Sequence, residues 1–391
     1  MNLNGYLLLC SVVIALVLQQ LYRTHDWKIF LELQWVPKTS IVLVAVSYIL
    51  FLAVLGELLP GKLYPGSTLE DGSCLYYKCN GLVVLLVTVA AFVTGHLTGL
   101  IDGSWVARNY FELLVVANWI ALFLATYLFL SHKLFGRKNW LRNGNLLSDF
   151  ILGSELNPFI WKINVKFFWL RPSMIGWSLI NISHLFLQLL KHQDISSRMV
   201  VYQFLTNLYI LDYFYNEVKM TTTWDIIAEH FGLMLIWGDI VFIPFVFSIQ
   251  CRYLVDNFIP MRYWELIIII LCACVGIYVF RSSNSQKHQF KHHPEAKIWG
   301  KSPETIGGKL LVSGFWGIAR HINYTGDLLL ALSFCLPCGY GNVIPYIYFL
   351  YLLLLLIHRD MRDEQRCARK YGALWEEYCR RVPYRLVPYI Y

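Results

Sequence analysis

Charged residues are scarce in this chain. Lys, Arg, Asp and Glu make up 15% of the 391 residues, whereas 57% are hydrophobic. The mean hydropathy is +0.50. A soluble protein of this length needs a more polar surface, so the composition excludes that class and predicts a polytopic helical membrane protein.

Several other signatures are missing. No Gly-x-Gly-x-x-Gly follows a predicted strand, so no Rossmann domain is expected and any dinucleotide must lie among helices and loops. No Cys/His spacing suggests zinc, and repeats are absent. The net charge of +8 does not fall on a recognisable nucleic-acid-binding module, so no nucleic-acid partner is expected.

The ten cysteines are scattered, and most lie within apolar runs. Cys335 and Cys338 have the spacing of a redox motif, but they close an apolar run and lack a thioredoxin-like βαβ setting. We therefore predict that they are small packing groups.

Long apolar runs are what the chain has instead. A membrane-spanning helix needs about 20 mostly apolar residues, because every backbone amide in hydrocarbon must be hydrogen-bonded internally. The first run lacks the positive start and the cleavage site of a signal peptide, so it is interpreted as a span. We predict one all-α integral membrane domain over residues 1–391, with ten spans. The runs lie near residues 5–22, 41–59, 81–101, 111–131, 173–190, 198–215, 232–250, 264–280, 326–340 and 343–357.

The basic loops predict the topology. Short loops rich in Lys and Arg stay in the cytosol. The segments 132–142, 281–309 and 358–391 are basic, and ten spans place all three on one side. Both termini are therefore predicted to be cytosolic. The loop 23–38, with three cations, would be luminal and is an exception.

Polar residues at membrane depth are functional candidates, because they cost free energy there. In the run near 198–215, helical spacing puts Tyr209, Asp212, Tyr213 and Asn216 on one stripe. Two interpretations stay open. The stripe either lines a pocket with a phenol as proton donor, or makes interhelical hydrogen bonds near the membrane surface.

Three further polar groups stand alone within other runs, namely His96, His184 and Asp239. We predict that they are hydrogen-bonded packing groups.

The tail after the last run contains the densest charge pattern. Continued as a helix, it puts Arg359, Arg362, Asp363 and Arg366 on one face. Arg forks bind phosphate with two hydrogen bonds, so this face suggests a site for a large anion. The alternative is a solvated, salt-bridged helix.

A combination of motifs resembles the sterol reductase family, which includes Δ14-sterol reductases, the membrane part of the lamin B receptor and 7-dehydrocholesterol reductase. The resemblance runs from about residue 140 to the end. The ending is more similar to the Δ14 branch than to the Δ7 branch. The matching segments are 155–158 (ELNP), 170–172 (LRP), 313–327 (SGFWGIARHINYTGD), the Arg359 helix, 370–372 (KYG) and 382–391 (VPYRLVPYIY).

The resemblance implies an enzyme of the endoplasmic reticulum or inner nuclear membrane that reduces a sterol double bond, C14=C15 in this branch, with NADPH. In the family's chemistry a donor protonates the alkene and the nicotinamide then delivers hydride to C14. The spans in 1–131 would precede a reductase-like part, 132–391, with the NADPH region at about 281–391. The expected partners are a sterol substrate and membrane lipid.

The resemblance also assigns roles to residues. Lys287 and Lys291 would hold the NADPH phosphates, and Trp316, Asn323 and Asp327 would contact the nicotinamide or ribose. Arg359 and Asp363 would bind the cofactor, and Tyr378 would close the site. Tyr209, with Asp363 nearby, would form the proton-donor network, with Tyr213 as the alternative donor.

Departures from the family pattern keep two alternatives open. Ser154 and Phe159 stand where the family usually has Arg, Lys291 also replaces Arg, Ile322 replaces Pro and Ser173 replaces Gly. A catalytically degenerate, lamin-B-receptor-like sterol-binding or nuclear-envelope protein is therefore one alternative. An isoprenylcysteine-type membrane methyltransferase is the other, because such enzymes share an Arg-His-x-x-Tyr-x-Gly motif and a basic tail. Ten spans and the ELNP block disfavour the methyltransferase.

Overall fold

The computed structural model describes residues 36–68, 72–135 and 145–391. Within them the chain is mostly helical, and its strands form three two-stranded antiparallel hairpins. This confirms the predicted helical membrane class. The described residues fold as two compact units, 36–259 and 260–391. The predicted boundary at 131/132 stays a prediction, and the first apolar run lies outside the described residues.

The first unit is built around long helices. Its elements are α1 (Thr39–Leu58), β1 (Lys62–Pro65), β2 (Tyr76–Cys79), α2 (Gly81–Leu97), α3 (Trp105–Arg108), α4 (Tyr110–Phe135), α5 (Leu146–Leu152), β3 (Phe159–Ile160), β4 (Ile163–Asn164), α6 (Val165–His192), α7 (Ser197–Tyr215), α8 (Glu217–Met220), α9 (Trp224–Ile227), α10 (Leu233–Trp237), a π-helix (Gly238–Val246) and α11 (Ile249–Asp256).

The second unit contains two long helices and a short hairpin. Its elements are α12 (Tyr263–His292), β5 (Thr305–Ile306), β6 (Leu310–Leu311), a 3₁₀ turn (Gly314–Gly317), α13 (Ile322–Cys335), 3₁₀ turns at Leu336–Cys338 and Ile344–Tyr346, α14 (Ile347–Tyr371) and α15 (Ala373–Arg381).

Six helical segments of the described residues are long and apolar enough to cross a membrane. Two shorter apolar segments, Gly81–Leu97 and Ile322–Cys338, match the predicted runs near 81–101 and 326–340. The run near 198–215 forms α7, which is not among the six. The count of ten spans therefore stays a prediction. The six segments are Thr39–Leu58, Tyr110–Phe135, Val165–His192, Leu233–Asp256, Tyr263–His292 and Ile344–Tyr371.

Helix α6 forms the centre of the first unit, and most of its side chains are buried. The helix begins at the N-cap Asn164, whose side chain accepts a hydrogen bond from the Phe167 N–H at 2.9 Å. Arg171, from the LRP motif, pairs with buried Glu217 (Nε to Oε1, 3.3 Å). Glu217 also accepts the Gly81 N–H at 2.7 Å. Arg171 therefore joins α6 to α2 and α8.

The second unit is held together by a close approach of α12 and α13. A Cβ on Gly326 would lie 2.5 Å from the Phe280 backbone nitrogen and 2.9 Å from the Gly276 oxygen. A Cβ on Gly276 would likewise meet the Leu330 backbone nitrogen at 2.9 Å. Small residues at helix contacts let backbones approach closely in membrane proteins. This contact fixes the polar ends of α12 and α13 beside each other.

Cys335 and Cys338 are buried at the end of α13, and the Cys335 Sγ lies 3.3 Å from the Ala331 carbonyl oxygen. The structure thus agrees with the predicted packing role.

Candidate functional site

His321, at the N-terminus of α13, lies at the centre of a charged cluster in the second unit. The ring is buried, and its Nε2 lies 3.4 Å from Asp360 Oδ1 and 3.7 Å from Asp363 Oδ2. Burial, together with the positive charges of Lys287, Arg320, Arg359 and Arg385, lowers the pKa of His321 to about 3. The ring is therefore neutral at pH 7, and its contacts with the two carboxylates are polar contacts rather than ion pairs.

Trp316 lies in the 3₁₀ turn that precedes α13. Gly314 begins that turn with a φ of +62°, a conformation that favours glycine. The Trp316 indole is buried and donates to the Ser283 carbonyl at 2.8 Å. The Lys287 Nζ lies 4.3 Å from the centre of the Trp316 ring, a cation–π distance.

Tyr378, on α15, closes the same region. Its hydroxyl donates to the Trp316 carbonyl at 3.1 Å. Burial raises the pKa of Tyr378 well above its usual value, so the phenol stays protonated.

Asn323 and Asp327 lie one turn apart on α13. The Asn323 side-chain nitrogen donates to the Asn284 side chain at 3.3 Å, whereas its oxygen is buried and has no hydrogen-bond partner among the described residues. Arg359, on α14, acts electrostatically on Asp327. The structure therefore places two more predicted residues beside the cluster.

Six of the eight residues expected to bind the cofactor thus belong to connected contacts or charge interactions, and the seventh, Asn323, follows His321 by two positions and bonds to Asn284. Asp363 completes the set, because its charge acts on Lys287. Lys291 is the eighth, an exposed residue one turn beyond Lys287 on α12. The structure gives no contact that ties it to the cluster within the described residues.

The sequence alone did not indicate a second layer of charged residues behind this cluster. Arg320 Nη1 lies 2.9 Å from Glu364 Oε2, and Arg385 Nη1 lies 3.0 Å from Asp360 Oδ2. Asp360 is almost fully buried, with an exposed fraction of 1%. The partners are 25 to 44 positions apart, so no local periodicity could pair them. The only available signal was the adjacent Arg320 and His321 in the quoted motif.

The C-terminal segment holds the start of α13 in place. The Arg320 N–H donates to the Tyr384 carbonyl at 3.0 Å, and the His321 N–H donates to the Arg385 carbonyl at 2.7 Å. Leu386 is buried beside them. The ending VPYRLVPYIY therefore has a structural role at the site.

The predicted proton-donor stripe lies on α7, in the first unit. Tyr209, Asp212, Tyr213 and Asn216 are all half-buried, as the helical spacing predicts. The Tyr209 ring contacts the Trp177 ring edge-on, with centroids 6.0 Å apart. Asp363 belongs to the second unit, so a joint donor network with Tyr209 stays a prediction.

Helix α7 also makes the interhelical hydrogen bonds that were the alternative interpretation. Gln203 donates to the Asn181 carbonyl at 2.5 Å, and Ser178 donates to the Asn207 side chain at 2.6 Å. These residues are distinct from the Tyr209 stripe, so both interpretations of the stripe stay predictions.

His96 is hydrogen-bonded as predicted, whereas His184 is satisfied at only one ring nitrogen, because its Nε2 is buried without a hydrogen-bond partner among the described residues. His96 Nδ1 accepts the Gly103 N–H at 3.2 Å, and His184 Nδ1 lies 2.8 Å from the Ile180 carbonyl oxygen. The prediction is wrong for Asp239. Its carboxyl is buried, yet it makes no hydrogen bond within the described part of the chain.

Comparison of the chain with known proteins identifies its family. Residues 4–391 match the Ergosterol biosynthesis ERG4/ERG24 family. The chain belongs to this family. Relatives named Delta(14)-sterol reductase include a protein of Arabidopsis thaliana, 46% identical over 359 residues, which are 91% of this chain and 97% of the relative.

Two other family members are more distant. The Delta(14)-sterol reductase of Methylotuvimicrobium alcaliphilum is 40% identical over 339 residues, covering 85% of this chain and 79% of the relative. The Delta(14)-sterol reductase LBR of Gallus gallus is 38% identical over 344 residues, covering 85% of this chain and 54% of the relative.

Most departures from the family pattern lie outside the charged cluster. Phe159 is exposed on β3, and Ile322 is buried in an apolar group with Phe315 and Ala319. Ser154 is in the first unit, where its hydroxyl is buried without a hydrogen-bond partner among the described residues.

Proposed function

We propose that this protein is an NADPH-dependent sterol reductase that saturates the C14=C15 bond, acting in the endoplasmic reticulum membrane. Family membership and relatives named Delta(14)-sterol reductase support the reaction class. The observation that carries the proposal is the cluster around His321. Its cations lie on α12 and α14, its indole lies in the 3₁₀ turn before α13, and an unpartnered amide oxygen lies on α13.

The residues present fit a dinucleotide phosphate. Phosphates need cations, and Lys287 and Arg359 supply them. The buried Asn323 oxygen has no partner within the described residues, and it could accept a hydrogen bond from the carboxamide or a ribose hydroxyl. NADPH supplies a hydride when it is bound. Trp316, whose indole is held by Ser283 and whose carbonyl is held by Tyr378, positions the Lys287 ammonium beside its ring.

The proposed proton donor is the Tyr209 phenol, with Tyr213 as the alternative. A phenol is a weak acid, so it needs a neighbouring group that stabilises its anion as the proton leaves. The family resemblance pairs the phenol with Asp363, and we propose that Asp363 is the group that resupplies its proton. That division of roles assigns the transferred proton to Tyr209 and its replacement to Asp363.

The positions of the departures favour an enzyme over a degenerate relative. Asn323, Arg359 and Asp363 remain, and the one substituted residue expected at the cofactor, Lys291, keeps its positive charge. The match over residues 4–391 also favours a reductase over an isoprenylcysteine-type methyltransferase.

The test is NADPH-dependent reduction of a Δ8,14-diene sterol by the purified protein, followed by mass spectrometry. We expect a product two hydrogens heavier from wild type. Arg359→Gln should abolish it with the thermal unfolding midpoint unchanged. Arg369→Gln is the matched control, because Arg369 is exposed on the same helix. Wild-type NADPH binding without product would contradict the proposed reaction, and unchanged turnover in Arg359→Gln would contradict the proposed site.

A further inference from the structure

The first unit contains an apolar cavity that the proposed cofactor chemistry does not use. Its volume is about 270 Å³, and α1, α4, α6 and the π-helix line it. These elements belong to four of the six segments that could cross a membrane. The lining is apolar except for Tyr48, Ser173 and Asp239. A ligand entering from the bilayer would therefore meet hydrocarbon almost everywhere.

Asp239 is the exceptional residue of this cavity. Its exposed fraction is 8%, and its carboxyl makes no hydrogen bond to any residue that the structure describes. Lys166 acts on it electrostatically. The Lys166 ammonium, however, donates to the carbonyl oxygens of Leu156, Ile226 and Glu229, at 3.1, 3.2 and 2.6 Å. An ammonium has three donors, so none remains for Asp239.

The other two polar residues of the lining have partners. The Tyr48 hydroxyl donates to the Pro172 carbonyl at 2.9 Å. The Ser173 hydroxyl contacts the carbonyl oxygens of Trp169 and Asp239, so it holds the backbone at Asp239 and leaves the carboxyl unsatisfied. An unpartnered carboxyl in an apolar, membrane-embedded cavity is costly and marks a functional site.

The backbone around Asp239 is also unusual. Gly238–Val246 is a π-helix with Pro244 inside it, and such segments are rare and frequent at functional sites. Side chains from neighbouring helices satisfy carbonyls at its end: Tyr110 donates to Phe245, and Trp177 donates to Phe247 at 3.1 Å. The irregular backbone is thus supported from outside, which fixes the position of Asp239.

We propose that this cavity binds the hydroxyl-bearing end of a sterol, with the 3-hydroxyl hydrogen-bonded to the Asp239 carboxyl. The choice of a sterol rests on the proposed function. A cavity of about 270 Å³ lies just below the roughly 300–1,000 Å³ that encloses a whole drug-sized ligand, so it holds one end of the molecule. A carboxyl accepts a hydrogen bond from a hydroxyl in either protonation state, and the apolar walls match the sterol rings.

The test compares two competitors that differ only at the hydroxyl. Wild-type protein in phosphatidylcholine nanodiscs is labelled with a photoreactive cholesterol analogue, and 5α-cholestan-3β-ol or 5α-cholestane, which lacks the hydroxyl, is added. We expect labelled peptides from α4, α6 and the π-helix. 5α-Cholestan-3β-ol should compete at a concentration about tenfold to a hundredfold lower than 5α-cholestane, the usual effect of one hydrogen bond to a charged group.

Asp239→Leu and Tyr48→Phe separate this role from a structural one. In Asp239→Leu the two competitors should act within about threefold of each other, because the acceptor is gone. The unfolding midpoint should be unchanged or higher, since an unpartnered buried polar group is removed. Tyr48→Phe is the matched control on the same cavity wall and should keep the wild-type ratio.

Three results would overturn the proposal: equal competition in wild type, a wild-type ratio in Asp239→Leu, or loss of the ratio in Tyr48→Phe alone. Failure here is distinguishable from failure of the proposed function, because this assay uses no NADPH. If wild type reduces the Δ8,14-diene without preferring the hydroxyl, only the present inference fails. If it prefers the hydroxyl and reduces nothing, only the reductase proposal fails.

Discussion

Two carboxylates one turn apart on α14 face His321 and have different surroundings. Asp360 is almost fully buried and accepts hydrogen bonds from Arg385 at 3.0 Å and from the Tyr391 hydroxyl at 3.3 Å. Asp363 is about one-third exposed and lies 3.7 Å from His321. Asp360 therefore supports the fold, whereas Asp363 is available to cofactor or substrate.

This difference predicts opposite phenotypes for two matched substitutions. Asp360→Asn should lower the free energy of unfolding by about 1–3 kcal/mol, because it removes the buried one of the two carboxylates that pair with Arg385 and leaves only Glu364. Asp363→Asn should leave the unfolding midpoint within about 1 °C of wild type but reduce sterol turnover at least tenfold. Thermal unfolding in detergent and the diene assay measure the two effects. A stable Asp360→Asn protein would contradict the structural role of Asp360.

His321 should make stability depend on pH. Its pKa is about 3 in the folded protein and about 6.5 in an unfolded chain. Between those values the unfolded chain binds a proton that the folded chain does not, so stability is complete above pH 6.5 and falls as the pH falls. From pH 6.5 to pH 5 the loss should be about 1–2 kcal/mol.

The measurement is the unfolding midpoint of wild type and His321→Gln at several pH values in that range. The substitution should flatten the profile. His293→Gln, at an exposed histidine, should leave it as in wild type. A profile that stays equally steep in His321→Gln would assign the pH dependence to other groups.

At the scale of elements, the contact between α12 and α13 determines the geometry of the cofactor cluster. Lys287 and Asn284 lie on α12, and Asn323 and Asp327 lie on α13, so a change in the helix spacing displaces both sets. Gly326→Val would place side-chain atoms against the backbone of Phe280 and Gly276, which cannot move aside as a flexible side chain can.

We expect Gly326→Val to lower the free energy of unfolding by about 1–3 kcal/mol and to weaken NADPH binding at least tenfold. Gly341→Ala is the control, because no atom lies within 4 Å of its added Cβ. Thermal unfolding and NADPH titration of both variants provide the comparison. Wild-type NADPH affinity in Gly326→Val would separate the cofactor site from the helix contact.

The elements also show what sequence reasoning could reach. Helical periodicity is local, so it correctly placed Tyr209 and Tyr213 on one face of α7 and continued the last apolar run into α14. Motif resemblance supplied Lys287, Trp316 and Tyr378. The Arg385–Asp360 pair depends on how the C-terminal segment folds back, and the π-helix at Asp239 depends on support from Tyr110 and Trp177. Neither feature is encoded in the spacing of neighbouring residues.

At the scale of the whole molecule, the side of the membrane on which the basic segments lie determines which compartment the charged cluster faces. If all three basic segments are cytosolic, the cofactor cluster faces the compartment that supplies NADPH. The same arrangement puts the loop 60–80 in the cytosol and the loop 257–262 in the lumen. Cys74 is exposed in the first loop, and Ile259 is exposed in the second.

We therefore expect a membrane-impermeant maleimide to label Cys74 in sealed, cytosol-side-out microsomes. A cysteine introduced as Ile259→Cys, in a variant with Cys74→Ser, should react only after the membrane is permeabilised. Since the sidedness of each loop follows from how many spans precede it, the pair tests the number of spans before residue 60 and between residues 80 and 251.

If Cys74 reacted only after permeabilisation, either the run near residues 5–22 would not span the membrane or the N-terminus would be luminal. If both cysteines reacted in sealed microsomes, an even number of spans would separate the two loops, four in place of the expected five. We would then assign α7 to the membrane surface, because it contains Arg198 and Asp212 and is not among the helices long and apolar enough to cross a membrane.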